Sequence, residues 1–162
     1  MIKKISLAIL IVTFFLGCTR DDICDLLTDT TPILVITFED INNEGVSKAV
    51  TNLRVETAED SLLVFFATTT DSIAIPLKTG ENLTKYLFTT RSTDTINRNS
   101  DIVTFNYMPE DVYLNRACAF KTIYNELSAG VDDEGTDNWI RTINVLKTTV
   151  ENENETHITI LH

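Results

Sequence analysis

The sequence predicts an all-β fold, namely a single immunoglobulin-like β-sandwich of about eight or nine strands over residues 33–162. Two observations favour this fold. Short runs rich in Ile, Val, Thr and Phe recur between clusters of Asp, Asn, Gly and Ser, which is the pattern of strands joined by turns. The same stretch contains no internal repeat and no linker rich in Pro or Gly, so the strands are expected to form one domain.

The strand predictions follow the spacing of the apolar residues. The run Ile33–Phe38 suits a central strand, and Leu62–Phe66 is a second apolar run. Pro76 lacks a backbone N–H, so it predicts a sheet edge or a strand end. The other positions that mark strands are Leu53, Val55, Ile73, Ile75, Leu77, Tyr86–Phe88, Val103, Phe105, Tyr107, Cys118 and Phe120.

The C-terminal segment carries two competing signals. Four apolar residues stand at helical spacing: Trp139, Ile143, Leu146 and Val150. However, β-branched residues crowd the same segment, and the polar residues 151–154 separate it from an alternating run over 156–161. We therefore predict a terminal β-hairpin here.

Residues 1–17 are predicted to be an export signal. Two lysines near the start precede the apolar stretch from Ile5 to Leu16, which is too short for a permanent membrane helix of about 20 residues. Gly17 is small, as a signal peptidase requires, and Cys18 stands where a lipoprotein carries its acyl chains. The alternative is an ordinary signal peptide with an incidental cysteine. The pattern favours a lipoprotein signal peptide with Cys18 as the lipidation site.

Residues 18–32 are predicted to be a lipidated, polar tether. Each buried CH₂ contributes about 0.8 kcal/mol, so a cysteine with several acyl chains stays on the membrane. Arg20, Asp21 and Asp22 resemble the acidic export signal that sends some Gram-negative lipoproteins to the cell surface. The alternative is a plain solvated tether, and the periplasmic side remains open. We expect an outer-membrane, lipid-anchored and surface-exposed protein.

The charge balance argues against some partners. The formal net charge is −11 at pH 7, and it becomes −13 once the leader with its two lysines is removed. Nucleic acids and anionic surfaces attract proteins of the opposite sign. The expected partners are the membrane, through the lipid anchor, and a neighbouring outer-membrane protein, but no nucleic acid.

Two cysteines remain once Cys18 is lipidated. Cys24 and Cys118 form an even pair in an oxidising compartment, which predicts a disulfide between the tether and a late strand. The alternative is two buried free thiols. The sequence has no Cys-x-x-Cys, which argues against a redox-active pair.

The sequence offers no pattern typical of catalysis. His157 and His162 fall in the predicted last strand. Because they are five residues apart, their side chains are expected on opposite faces of that strand and cannot simply bind one metal ion together. His-Glu-x-x-His, Gly-x-Ser-x-Gly and phosphate-binding glycine loops are missing. We therefore expect no enzyme activity, no cofactor and no metal site, although a hydrolase using paired carboxylates stays open.

Two polar features leave further alternatives open. Residues 132–138 are acidic, but placing Gly135 at the sixth position of a calcium loop puts Gly130 where Asp is required. A looser calcium or glycan site remains as an alternative to a solvated turn. Four triplets match a short O-glycosylation motif and equally suit turns that enter strands: Asp29-Thr30-Thr31, Asp60-Ser61-Leu62, Asp71-Ser72-Ile73 and Asp94-Thr95-Ile96.

Several segments together resemble a known family. They are Asp21–Cys24, Thr31–Ile36, Val50–Val55, Asp71–Leu77, Arg116–Phe120, Asn138–Ile140 and His157–His162. In this order they resemble the small bacterial envelope lipoproteins grouped as domain of unknown function 6452. The resemblance implies that Cys24 and Cys118 are family features and that glycine is usual where Ala119 stands. It implies no activity, because none is established for the family.

The sequence therefore predicts a non-catalytic, lipid-anchored interaction or accessory module of the outer membrane. The runner-up is a ligand-binding module for glycan or calcium that uses the acidic loop over residues 132–138.

Overall fold

The computed structural model describes residues 23–132 and 135–162, which form ten β-strands in two sheets. The strands are β1 (Leu34–Asp40), β2 (Asn43–Ser47), β3 (Val50–Thr57), β4 (Leu63–Thr70), β5 (Ser72–Ile75), β6 (Leu83–Thr90), β7 (Asn99–Asn115), β8 (Ala119–Val131), β9 (Thr142–Val145) and β10 (Ile158–Leu161). The described residues contain one 3₁₀-helix, Gly135–Asp137, and no α-helix. Within these ranges no helix is long and apolar enough to span a membrane.

The first sheet is built around β1. Its order is β2-β1-β10-β9, with β5 also paired to β1. β1 runs parallel to β10, with Ile36 opposite Ile158, and antiparallel to β5 and β2. The central position predicted for Ile33–Phe38 is confirmed. β5 pairs only with β1 in this sheet and ends at Ile75, directly before Pro76, as the missing N–H of proline requires.

The second sheet is antiparallel throughout, in the order β4-β3-β6-β7-β8. The apolar run Leu62–Phe66 lies at its edge, in β4, where Leu63 and Phe66 are exposed. The adjacent Val64 and Phe65 both pack against the core, because the register of β4 against β3 shifts between Leu63 and Phe65 and interrupts the alternation of a regular strand.

Inward-facing side chains of both sheets form one hydrophobic core. Phe38 and Ile160 of the first sheet and Phe88, Phe105 and Tyr124 of the second are completely buried. The burial pattern alternates along β1 and through most of β6, as the period of two in a strand demands. In β3 the buried Val50 and Leu53 are three residues apart, because the register against β4 shifts between them. The all-β, two-sheet arrangement predicted from the sequence is confirmed.

Three tyrosines close the core under the connection between β5 and β6. The hydroxyls of Tyr86, Tyr124 and Tyr107 donate to the carbonyls of three consecutive residues, numbers 76, 77 and 78, at 2.5, 3.0 and 2.9 Å. Burial raises the pKa of Tyr86 and of Tyr124 to about 12. The tyrosines remain protonated donors at any physiological pH and hold this connection across the core.

The terminal hairpin is confirmed, since β9 pairs antiparallel with β10. Three placements differ from the sequence predictions. The described residues form ten strands and not eight or nine, because β2 was not predicted. Its five residues are all exposed and show no apolar alternation. Cys118 lies in the turn before β8 and not inside a strand. His157 and His162 flank β10, which is only four residues long, and so do not belong to it.

Ala119 occupies a position that favours glycine. Its φ is +59°, and the β7–β8 register shifts between Tyr113 and Asn115, which faces Ala119. This agrees with the glycine that the family resemblance implies. A Cβ in the left-handed region costs roughly 1–2 kcal/mol.

We therefore expect Ala119→Gly to raise the free energy of unfolding, because glycine relieves the strain of the left-handed conformation. The gain should be at most about 1 kcal/mol, since glycine also gives the unfolded chain more conformational freedom. Urea titration of the variant and the wild type measures this difference. Ala129→Gly, within the same strand at ordinary φ, is the control and should destabilise. A destabilised Ala119→Gly variant would contradict the account of this turn.

Candidate functional site

The longest hairpin among the described residues projects beyond the core. The pairing of β6 with β7 ends at Leu83 and Asn106, whereas β7 and β8 continue to pair as far as Asn115 and Ala119. We call residues 110–123 the arm. An isolated two-stranded ribbon is marginally stable in water. The arm therefore needs contacts from elsewhere in the chain.

The N-terminal segment supplies these contacts. Cys24 is disulfide-bonded to Cys118 in the turn of the arm, with a Cα–Cα distance of 4.8 Å. Asp29 lies 3.5 Å from the Lys121 ammonium, and the backbone N–H of Thr122 donates to the Thr31 hydroxyl at 3.0 Å. The described part of the predicted tether, residues 23–32, thus runs beside β8 and is fastened at the tip, in the middle and at the base of the arm.

The tip of the arm exposes apolar side chains. Tyr113 and Phe120 face each other across the two strands, with ring centroids 5.3 Å apart, and are 59% and 61% exposed. Ile23, next to the disulfide-bonded Cys24, is also exposed, and these three side chains form what we call the tip patch. Leu26 and Leu27 are exposed as well but lie beside residues 151–154. Clustered exposed apolar residues mark surfaces that contact a partner or a membrane.

The sequence-predicted site residues fall into two groups. The lipidation residue Cys18 and the export residues Arg20, Asp21 and Asp22 lie outside the described residues. Cys24 and Cys118 are joined as predicted, and the alternative of two free thiols is wrong. The arm itself was not predicted, because no residue of β7 beyond Tyr107 is buried and the buried alternation stops there.

The acidic loop is partly described, and its described ends are held by amides. The side-chain amide of Asn138 donates to the Asp132 carbonyl at 2.9 Å, and that of Asn99 donates to the Asp137 carbonyl at 2.6 Å. Residues 133 and 134 lie outside the described ranges. Elsewhere in those ranges no three His, Cys, Asp or Glu side chains are grouped to hold a metal.

A buried carboxylate, Asp101, anchors the chain just after this loop. Its side chain is completely buried and accepts a hydrogen bond from the Ile140 N–H at 2.8 Å. Burial raises the pKa of Asp101, while the backbone N–H groups of Ile140 and Trp139 and the Asn138 side chain oppose the rise. Asp101 was not predicted from the sequence, although residues two apart on a strand point to the same face and the buried Val103 lies two residues later.

The two histidines are structural. The imidazole Nδ1 of His157 accepts the Val35 N–H at 3.1 Å, which requires the neutral ring. The ring of His162 packs edge-on against Phe38 and Trp139 and its Nε2 lies 3.1 Å from the Lys48 carbonyl. Burial lowers the pKa of both histidines.

This lowered pKa predicts acid sensitivity. A histidine that binds protons more weakly when folded contributes stability above its unfolded pKa near 6.5, and this is lost as the pH falls below that value. We expect the free energy of unfolding to drop between pH 7.5 and 5.5, by at most about 1.4 kcal/mol per pH unit per histidine.

His157→Asn keeps an acceptor for Val35 but cannot titrate, so its melting temperature should depend less on pH over this range. Thermal denaturation of the variant and the wild type at both pH values measures the difference. An unchanged pH dependence would show that His157 does not contribute.

The glycosylation triplets lie in exposed turns and strand starts. The hydroxyl residues Thr30, Ser61, Ser72 and Thr95 are all exposed. The Asp94 carboxylate accepts hydrogen bonds from the Ile96 and Asn97 N–H groups at 2.9 and 3.1 Å. This is the geometry expected if the triplet serves only to form a turn. Glycosylation of these residues stays a prediction.

Comparison with known proteins identifies a family for this chain. The family model described as a family of unknown function, DUF6452, matches residues 48–162 and so includes Cys118 and the arm. No curated protein and no solved structure matches the chain. The match covers more than half of the sequence, and the chain therefore belongs to the DUF6452 family.

Proposed function

We propose that this chain is an outer-membrane lipoprotein, anchored through acylated Cys18, whose folded part is a non-catalytic interaction or accessory module. The observation that carries the proposal is an apolar leader that ends in Gly17-Cys18, only six residues before a disulfide-bonded cysteine. Disulfides persist in oxidising compartments, which agrees with export. The immunoglobulin-like description of the two sheets also stays a prediction.

The arrangement of the described residues supports an interaction module. Its largest projecting element is an arm that is fastened to the tether and that ends in exposed aromatic side chains. Arg20, Asp21 and Asp22 support placement on the cell surface, with the periplasmic side as the alternative. A neighbouring outer-membrane protein is the expected partner. The acidic loop as a calcium or glycan site remains the second candidate.

The test of the anchor is Cys18→Ser. Without the thiol, lipidation and the cleavage that follows it should be blocked, so the variant should keep residues 1–17 and run as a heavier form without incorporated palmitate. Labelling cells with palmitate and comparing electrophoretic mobility measures both effects. Cys24→Ser/Cys118→Ser is the matched control and should incorporate palmitate normally. Normal maturation of Cys18→Ser would contradict the proposal.

Surface exposure is tested separately. Protease added to intact cells should degrade the wild-type protein, and replacement of Asp21 and Asp22 by Ala should make it resistant until the cells are lysed. Wild-type protein that resists protease in intact cells would place the domain on the periplasmic side.

A further inference from the structure

We propose that the tip patch lies on the bilayer that carries the lipid anchor, with Tyr113 and Phe120 in the headgroup region. The inference rests on the proposed function, because it needs the acyl chains on Cys18. It goes beyond that function by naming the bilayer as the surface that the tip patch contacts and by fixing which end of the domain faces the membrane, so that a protein partner would bind elsewhere on the domain.

The first argument is the length of chain between the anchor and the arm. Six residue steps separate Cys18 from Cys24, and an extended chain spans at most about 3.6 Å per residue, or roughly 20 Å in total. The disulfide adds a Cα–Cα distance of 4.8 Å to Cys118. The tip of the arm therefore stays close to the membrane surface whatever conformation the intervening residues adopt.

The disulfide is what imposes this restraint. Without it, the first contact of the tether with the arm would be the Lys121–Asp29 ion pair, an exposed interaction that contributes little. Cys118 lies in the turn that joins β7 to β8, so the covalent bond holds the extreme end of the arm and not its base.

The second argument is chemical. Tyr113 and Phe120 are more than half exposed, and Ile23, next to the disulfide-bonded Cys24, is 76% exposed. Aromatic rings with one apolar and one polar side are favoured at the level of lipid headgroups, where apolar groups leave water without entering the hydrocarbon fully. Tyr113, with its hydroxyl, fits this description, and Phe120 and Ile23 add apolar area, so the tip patch gains free energy by contacting the bilayer.

The test places a tryptophan in the tip patch and asks whether lipid reaches it. Full-length acylated protein carrying Trp139→Phe, which removes the single native tryptophan, receives Phe120→Trp or Tyr113→Trp. The protein is reconstituted into vesicles of phosphatidylethanolamine and phosphatidylglycerol with brominated acyl chains, which quench tryptophan by contact. Phe66→Trp is the matched control, because Phe66 is 73% exposed on β4, at the opposite edge of the sheet from β8.

We expect quenching at positions 120 and 113 to exceed that at position 66 several-fold. Two reporters on different strands keep the test valid if one variant does not fold. Equal quenching at all three positions, in protein that floats with the vesicles, would overturn the inference while leaving the anchor intact. Protein that does not float with the vesicles would overturn both the inference and the proposed function.

Discussion

Removal of the Cys24–Cys118 disulfide should lower the free energy of unfolding by about 2–5 kcal/mol. The bond closes a loop with a sequence separation of 94, and the chain-entropy model predicts a value near the upper end of this range for a loop of that length. The bond also fastens a two-stranded ribbon that has no neighbour in its sheet beyond Asn106 on the β6 side. The effect should therefore be the largest that a change at the arm can produce.

The measurement is urea denaturation of Cys24→Ser/Cys118→Ser and of the wild type with and without reductant. The matched control is Asp29→Asn, which removes the exposed ion pair with Lys121 from the same segment and should cost less than about 1 kcal/mol. Alkylation without reductant should leave the intact mass unchanged, and reduction should add two adducts. A urea midpoint of the wild type that is the same with and without reductant would contradict the stabilising role of the disulfide.

Replacement of Asp101 by alanine should cost on the order of 3 kcal/mol, because it leaves buried N–H groups after the acidic loop without an acceptor. Asp101→Asn keeps one acceptor oxygen and should lose clearly less. Together the two variants separate the missing hydrogen bonds from the missing charge.

Trp139 gives this second experiment a local readout. It is the single tryptophan of the chain, and its indole N–H donates to the Phe88 carbonyl at 3.1 Å. We expect Asp101→Ala to shift its fluorescence to longer wavelength under native conditions, while Asp101→Asn preserves the spectrum. Equal stability and equal spectra for wild type and Asp101→Ala would show that Asp101 does not hold this segment.

The strands that could be predicted are those with a regular apolar alternation. Leu53 and Val55 in β3, and Val103, Phe105 and Tyr107 in β7, are buried as that pattern requires. β2 could not be predicted in the same way, since all its residues are exposed and its pairing depends on the neighbouring Asp40 and Glu39 of β1. Local pattern thus found the core but not the strands outside it.

The candidate site was only partly predictable. The pairing of Cys24 with Cys118 followed from counting thiols in an oxidising compartment, and it is confirmed. The arm depends on how far β7 and β8 continue past the end of β6, which is a property of the sheet and not of either strand. The buried roles of Asp101 and His157 are tertiary as well, because their partners are 39 and 122 residues away in the sequence.

The central claim is that Cys18 carries the lipid that holds this domain on the membrane. Mass spectrometry of the N-terminal peptide from protein extracted from membranes tests it most directly. The account predicts a chain that begins at Cys18 and carries the mass of acyl chains on that residue. A mature chain that begins elsewhere, or that contains Cys18 without added mass, would contradict it.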